Sequence, residues 1–339
     1  MLRSMPYVSI IILNFNGDKY LAGCLSSVLK LSYPAFEVIL LDNCSTDNSF
    51  VNAKLLFSYD ARIKFFSNAE NFGYAEGYNR SLCFVNPKAE YLFFLNPDVV
   101  VDENCLKHLV SIAETDNSIG AVQSKLMQLT KPTIIDSLGG EVDNLGFSYL
   151  KNNGLKDKEN YSLFEEIFYA DGAAFLIKKK TIDEVKMGSQ LFDSSFVFYC
   201  EDLDLSWRLR MKGYKLVVSN LALSFHARGG ITHKDGVIPF FVFHQTKNRF
   251  AILLTNYEKL NIARNLPKLA SIEICGFLFF SLNDTQRSIA ILNAFCWIIK
   301  NYKYILSRRQ ILQKNRVVND KTITTKMVKT RLSYLFLTA

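Results

Sequence analysis

The chain has 339 residues, a net charge of +8, 49% apolar and 21% charged residues; this excludes a disordered or fibrous polymer and suits one large domain with or without an appendage. Seven cysteines, at 24, 44, 83, 105, 200, 275 and 296, contain no C-x-x-C pair and read as reduced thiols of a cytosolic protein. The start, MLRSMPYVSIIILNFNG, is too short in its apolar part for a secretory leader, and no later apolar run reaches the ~18 residues of a bilayer span.

In chain order, residues 8–13 are a β-rich run and 18–31 carry apolar residues at helical spacing. A second strand is predicted over 37–41, ending at Asp42, and Ser45-Thr46-Asp47 reads as the start of a helix through about 56. Strands at 63–66 and 91–95 flank a helix over 74–85. This β-α-β-α-β-α-β order predicts an α/β fold with a mostly parallel central sheet between helices. Ligands then bind at the carboxyl ends of the strands, where this chain places Asn14, Asn16 and Gly17, Asp42 and Asn43, Asn68 and Asn71, and Asn96 and Asp98. One such ending is ordinary turn chemistry; four on one sheet edge suggest a polar cleft.

Residues 120–200 are less regular, with a strand or loop at 169–177. A helix over 201–212 ends on Gly213, and a strand over 215–224 leads to His226. Residues 238–339 show helical spacing. Residues 300–331 hold ten Lys and Arg against one acid, Asp320, which leaves 30 basic and 31 acidic residues elsewhere. That basic tail predicts either a solvated helical face or an anionic partner, membrane headgroups or nucleic acid. Twenty-seven Phe leave room for apolar surface that meets lipid.

Three features carry chemistry. Asp98, at the end of the oily run YLFFLNPD, is a turn residue by default, but at a sheet's carboxyl edge it suits a divalent cation holding phosphate oxygens. Glu201-Asp202-Leu203-Asp204 opens a helix, where acids favour the dipole; three carboxylates crowded at a cleft rim also raise one another's pKa, as a general base requires. Helical spacing puts Asp202 on the face of Leu205 and Leu209, toward packed protein, with Arg208 and Arg210 near enough to neutralise part of the cluster. His226 ends a strand as Asp98 does, which makes a shared metal plausible, and Arg228 with the glycines beside it suits an anion.

The motifs VSIIILNFNG, LLDNCSTDNS, NAENFGYAEGYNR, FFLNPDVVVD, YADGAAFLIKK, FDSSFVFYCEDLDLSWRLRMKGYKL and FH, in that order over about residues 5–255, resemble the family 2 inverting glycosyltransferases of GT-A fold. The closer likeness is to the rhamnosyltransferase-type branch that builds bacterial surface polysaccharides. The resemblance implies a GT-A body over 5–236 and a helical, basic extension over 237–339 that meets the inner face of the cell membrane. It places Asn14, Asn16, Asp42, Asn43, Asn71, Gly73, Asn79 and Asn96 around the nucleotide sugar, and Asp98 and His226 on Mg2+ or Mn2+. Asp202 becomes the catalytic base, and Asp171, Gly172, Glu201 and Arg228 lie near the donor sugar or acceptor. Asn96 replaces the first acid of the family's D-x-D motif, which leaves Asp98 as that motif's one charged ligand. The partners implied are a nucleotide-diphosphate sugar, a glycan or polyprenyl-linked acceptor and an anionic membrane, not nucleic acid. Two other functions fit parts of the pattern. A non-catalytic carbohydrate-binding or membrane-surface protein would have no use for the 201–204 acids, and a dinucleotide-dependent oxidoreductase lacks its G-x-G-x-x-G after the first strand.

Overall fold

The computed structural model describes residues 5–158, 162–228 and 238–331. Strands β1 (Tyr7–Asn14) and β2 (Phe36–Asp42) are buried along nearly their whole length and mostly apolar, because helices cover both faces of the sheet. Alternate residues divide between two cores. Ile10 and Ile12 pack with α1 (Leu21–Leu29), α2 (Ser49–Phe57) and α4 (Cys105–Thr115), while Ile11 and Leu13 face α3 (Gly73–Ser81). A 3-10 turn (Leu82–Phe84) extends α3.

The order β3 (Ile63–Ser67), β2, β1, β4 (Ala89–Leu95) is wholly parallel, as predicted. It reverses direction at β1, so a crevice opens beyond the carboxyl ends of β1 and β4. The second half of the ten-stranded sheet is mixed. β11 (Ala174–Lys178) runs antiparallel to both β4 and β6 (Ile119–Gln128), because the connection from β6 to β11 is a set of hairpins rather than a helical crossover. That excursion comprises β7 (Lys131–Ser137), the β8–β9 pair (Gly140–Val142 and Ser148–Leu150) and β10 (Phe164–Ile167).

After α5 (Lys179–Val185), helix α6 (Glu201–Met211) is buried along nearly its whole length. It ends in a Schellman turn: Gly213, at φ +92°, donates to Arg210 O, and Tyr214 donates to Leu209 O. β12 (Lys215–His226) returns parallel to β6, and its last residues pair with β5 (Val99–Val101), just after β4.

The C-terminal region is helical, as expected: α7 (Ile238–Asn256), α8 (Lys259–Asn283), α9 (Thr285–Lys300), α10 (Tyr302–Lys314) and the short α11 (Asp320–Thr324). The expected boundary at 236/237 lies outside the described residues. Trp207 and Leu203 of α6 share one apolar cluster with Phe250, Leu253, Leu269 and Leu312 of the extension. The basic tail differs from expectation. Half of its cations are engaged within the fold. Arg308 is buried between Asp193 and Asp204, Arg316 pairs with Asp320, Lys326 with Glu166 and Arg331 with Glu141, and Arg309 donates to the Leu254 and Tyr257 carbonyls. A second difference is α8. As one 25-residue helix continuing through Pro267, it is long and apolar enough to cross a membrane by length and composition, although its apolar run alone is not.

Arg308 to Ala leaves Asp193 and Asp204 buried without their partner. It should lower the unfolding free energy by about 3–5 kcal/mol, read from urea denaturation against the parent chain.

Candidate functional site

On the β1–β2 side of the crevice most of the expected side chains hold one another. Buried Asn14 donates to Asp42 Oδ1 at 2.8 Å and to Ser49 Oγ at 2.8 Å, while Asp42 Oδ2 accepts from the Ser45 amide at 2.9 Å. Asn43 uses its whole carboxamide. Its Nδ2 donates to Asn71 Oδ1 and Gly73 O, and its Oδ1 accepts from Asn68 Nδ2 and the Phe72 amide. Asn43 and Asn71 therefore shape the loop before α3. Asn16, at φ +53°, clamps the loop after β2 by accepting from the Thr46 amide at 2.8 Å. Gly73 sits at φ +74°, where a Cβ would lie 2.8 Å from the Val197 side chain, so only glycine brings this loop against the segment before α6.

Asn79 is engaged by the segment before α6. Its Nδ2 donates to Phe192 O at 2.8 Å and its Oδ1 accepts from the Leu191 and Phe192 amides, so it staples α3 to residues 191–192. Asn96 is half-buried at the end of β4, and its carboxamide makes no hydrogen bond to the described residues.

The pairing of β5 with β12 sets Val99 opposite His226 and so carries Asp98 to the same place. His226 Nε2 lies 3.4 Å from Asp98 Oδ2. Its Nδ1 is 2.9 Å from Asp136 Oδ2, on fully buried Asp136 of β7, whose other oxygen accepts from Arg228 Nε. Burial alone would lower the imidazole's pKa, but Asp136 and Asp98 outweigh it and hold it up to about 10. Sequence reasoning passed over Asp136, which in TIIDSLGG reads as a turn acid after a short apolar run. Among the described residues no cluster of three or more metal-ligating side chains occurs. The Asp98–His226 pair still fits a divalent cation. An oxygen and an imidazole nitrogen 3.4 Å apart are near the ~3 Å edge of an octahedral shell, and Asp136 directs Nε2 toward Asp98.

The third group lies where α6 begins. The chain enters the helix through two consecutive left-handed residues, Tyr199 (φ +65°) and Cys200 (φ +66°). Such backbone persists only where its surroundings fix it, and Asn248 of α7 donates to both the Phe198 and Tyr199 carbonyls. The turn aims Asp202 across at the β10–β11 connection. Asp202 Oδ2 accepts from the Gly172 amide at 3.0 Å, and Oδ1 from the Leu203 amide at 2.7 Å. Gly172 is confined in turn: its carbonyl accepts from Tyr74 Oη at 2.8 Å, and a Cβ there would lie 2.7 Å from that oxygen. The Asp171 amide donates to Gln123 Oε1 at 2.6 Å.

Of the three acids on α6, Asp202 is the least buried, against the expectation that it points into packed protein. Asp204 fills that role, its carboxyl held low by Arg308 and Arg208 against the pull of burial. Arg210 does not neutralise the cluster; it pairs with Glu166 and donates to the Phe168 carbonyl. Removal from water and the Asp171 carboxylate push Asp202 up to about 7, against the amide hydrogen bonds that favour its anion. Glu201 is raised well above the carboxylate range by burial and by Asp202, and its buried Oε2 has no protein partner. Burial also raises Asp171, which interacts electrostatically with His226 on one side and Asp202 on the other. The structure thus brings Asp98, His226, Asp171, Gly172 and Asp202 along one edge of the sheet.

Residues 9–186 match the sequence profile of Glycosyl transferase family 2. An uncharacterized glycosyltransferase of Haemophilus influenzae is 27% identical over 126 residues, 37% of this chain and 38% of that protein. The poly-beta-1,6-N-acetyl-D-glucosamine synthase of Staphylococcus aureus is 23% identical over 271 residues, 75% of this chain and 61% of that protein. The chain thus spans 38% to 61% of the length of these curated relatives. Among solved structures, GalNAc-T7 with UDP, GalNAc and Mn2+ superposes with a TM-score of 0.60 at 17% identity, over 76% of this chain and 49% of that one. S. aureus TarS 1-349 gives 0.56 at 16% identity, over 94% and 90%. Mannosyltransferase PcManGT from Pyrobaculum calidifontis, in complex with GDP-Man and Mn2+, gives 0.55 at 14% identity, over 99% and 86%. These likenesses show a GT-A fold.

The Asp202 carboxyl should titrate with a midpoint near 7 by carbon-detected NMR. Asp171 to Asn removes a repelling anion and should move that midpoint downward, toward the ordinary value. An unmoved midpoint would place the cause in burial alone.

Proposed function

The chain belongs to glycosyl transferase family 2, and from that premise we propose that it moves a sugar from a nucleotide-diphosphate donor to an acceptor hydroxyl in one inverting displacement. Asp202 is the base. The observation that carries this reading is a half-buried carboxylate, fixed by the Gly172 and Leu203 amides and poised at about 7, on the ligand-binding edge of the sheet.

In this reading the donor lies over the carboxyl ends of β1 and β4. Asp42 and Asn16 face the nucleotide, the loop shaped by Asn43 and Asn71 closes against Val197, and the carboxamide of Asn96 is open to the ribose or diphosphate. Asp98 and His226 hold Mg2+ or Mn2+, which when bound offsets the charge of the diphosphate. Asp202 takes the proton of the acceptor hydroxyl as its oxygen bonds to the anomeric carbon. The bond to the diphosphate oxygen breaks on the opposite face, and the electron pair leaves with the nucleotide. Burial and the Asp171 carboxylate hold the base up to about 7, and Arg228, paired to Asp136, borders the metal side.

The Asn96-Pro97-Asp98 wording supports rhamnose as the sugar. The polysaccharide synthase among the relatives supports surface polysaccharide synthesis, with a glycan or polyprenyl-linked acceptor met at the inner face of the cell membrane. A non-catalytic binding protein would share the fold but have no dependence on residue 202.

Asp202 to Asn should reduce kcat by about 10²–10⁴-fold while nucleotide-sugar affinity stays within about twofold, measured by transfer assays and calorimetry with dTDP-rhamnose, UDP-GlcNAc and GDP-mannose as donors. Near-normal turnover would remove Asp202 as the base. Loss of activity through unfolding is separable. A carboxyl raised from ~4 to about 7 costs stability progressively as pH rises through that window, so the variant should melt higher than the parent at pH 8 and equally at pH 4. Activity of the parent should fall below pH 7 with the protonation of Asp202. Asp136 to Asn should weaken Mn2+ binding by about 10–100-fold, read by Mn2+ paramagnetic resonance in the presence of nucleotide, with no donor turnover needed.

A further inference from the structure

Helices α8 and α9 form an antiparallel hairpin that turns at Asp284 and packs on α7. Its outer side is apolar. Ile274, Leu278, Phe279 and Leu282 are exposed on α8, Leu282 by 87%, and Ile289 and Ile299 are exposed on α9 by 51% and 71%. Ile274, Leu278 and Leu282 recur every four residues on α8, and Ile289, Leu292 and Ile299 lie three and seven apart on α9, so each row keeps to one face; Leu282 and Ile289 bracket the turn where the two rows meet. Soluble proteins rarely leave such a patch without an occupant.

Charge is arranged around it. Between Lys268 and Lys300 only Glu273, Asp284 and Arg287 are charged. Glu273 is buried and paired with Arg249, and Asp284 pairs with Arg287 at 3.0 Å. The hairpin is antiparallel, so the start of α8 and the end of α9 lie at the same end. There Arg264, Lys268, Lys300 and Lys303 are all exposed.

We propose that the α8–α9 hairpin seats the protein on an anionic lipid leaflet, its apolar face among the acyl chains and the four cations at headgroup level. Acyl chains accept an apolar surface without asking hydrogen bonds of it, and anionic headgroups complement the cations beside it. A second copy of the chain would gain nothing from four like charges at the margin. α8 has the length to span a bilayer, but Asn265, Leu269 and Glu273 are buried on its inner side and Glu273 is tied to α7 through Arg249. It therefore lies along the membrane. The proposal also moves membrane contact from the basic tail as a whole, whose arginines are largely engaged internally, to the preceding hairpin and the tail's first two cations, Lys300 and Lys303.

Flotation of the full chain with phosphatidylcholine vesicles, with and without phosphatidylglycerol, tests this and needs neither donor nor acceptor, so its failure leaves the transferase reading untouched. The parent should float with phosphatidylglycerol vesicles, less so at high salt. Leu278 to Asp with Leu282 to Asp should cut the bound fraction by about tenfold or more, and Lys300 to Glu with Lys303 to Glu should abolish the preference for anionic vesicles. Both pairs lie at exposed positions, and unchanged melting temperatures confirm that the variants are folded. No flotation of the parent, or equal flotation of the Leu278/Leu282 variant, would overturn the proposal. So would a parent dimer in light scattering that the same variant converts to a monomer.

Discussion

Arg308 stands between two buried carboxylates, 2.8 Å from Asp193 and bonded through its other arm to Asp204. Asp204 is two residues from Asp202, and Asp193 begins the segment that turns into α6. One cation from α10 therefore fixes both the helix that carries Asp202 and the segment that turns into it. A buried ion pair of this kind adds little net stability relative to apolar packing; its value lies in allowing one arrangement and penalising others. The same arrangement explains why half the tail's positive charge points inward. The extension is a structural wall of the site, although the motifs that announce the site end before it.

Around that frame the crevice has two electrostatic poles. At one, Asp136 fixes His226 and leaves its Nε2 facing Asp98; at the other, burial keeps Asp202 and Glu201 from ionising easily, helped by Asp171 beside Asp202 and by Asp202 beside Glu201. Asp171 interacts with both. A cation at the first pole and a proton at the second meet opposite requirements, and the β10–β11 connection separates them by one short strand end. Under the proposed reaction the donor phosphate belongs to the first pole and the acceptor hydroxyl to the second.

The parallel half of the sheet was legible because its strands are mostly apolar runs that end on or just before Asn or Asp, a pattern that repeats locally. Asp98, His226 and Asp202 were legible for a different reason, through motif wording. Asn14, Asn43, Asn71 and Asn79 have the composition of ligand-binding amides, yet here each carboxamide also ties loops together, a use that shows only through partners distant in sequence. Asp136, Asn248 and Arg308 were missed because each acts through a partner 50 to 104 residues away. The antiparallel β11 followed from hairpins in a stretch with no clear period.

The surface charge of the chain misdirects in an instructive way. Ten cations against one acid suggested that the last segment was the part facing an anionic partner. Folding reverses the assignment. Arginine, with five donors in a rigid fork, is the cation best suited to burial, and the tail's arginines are taken up by carboxylates and carbonyls of the body. The segment before it has few charges and a row of exposed Ile, Leu and Phe side chains, and the exposed cations beside it sit at one end only. A count of charge does not show which cations an anionic surface could meet; that depends on which of them are left exposed once α6 has been held in place.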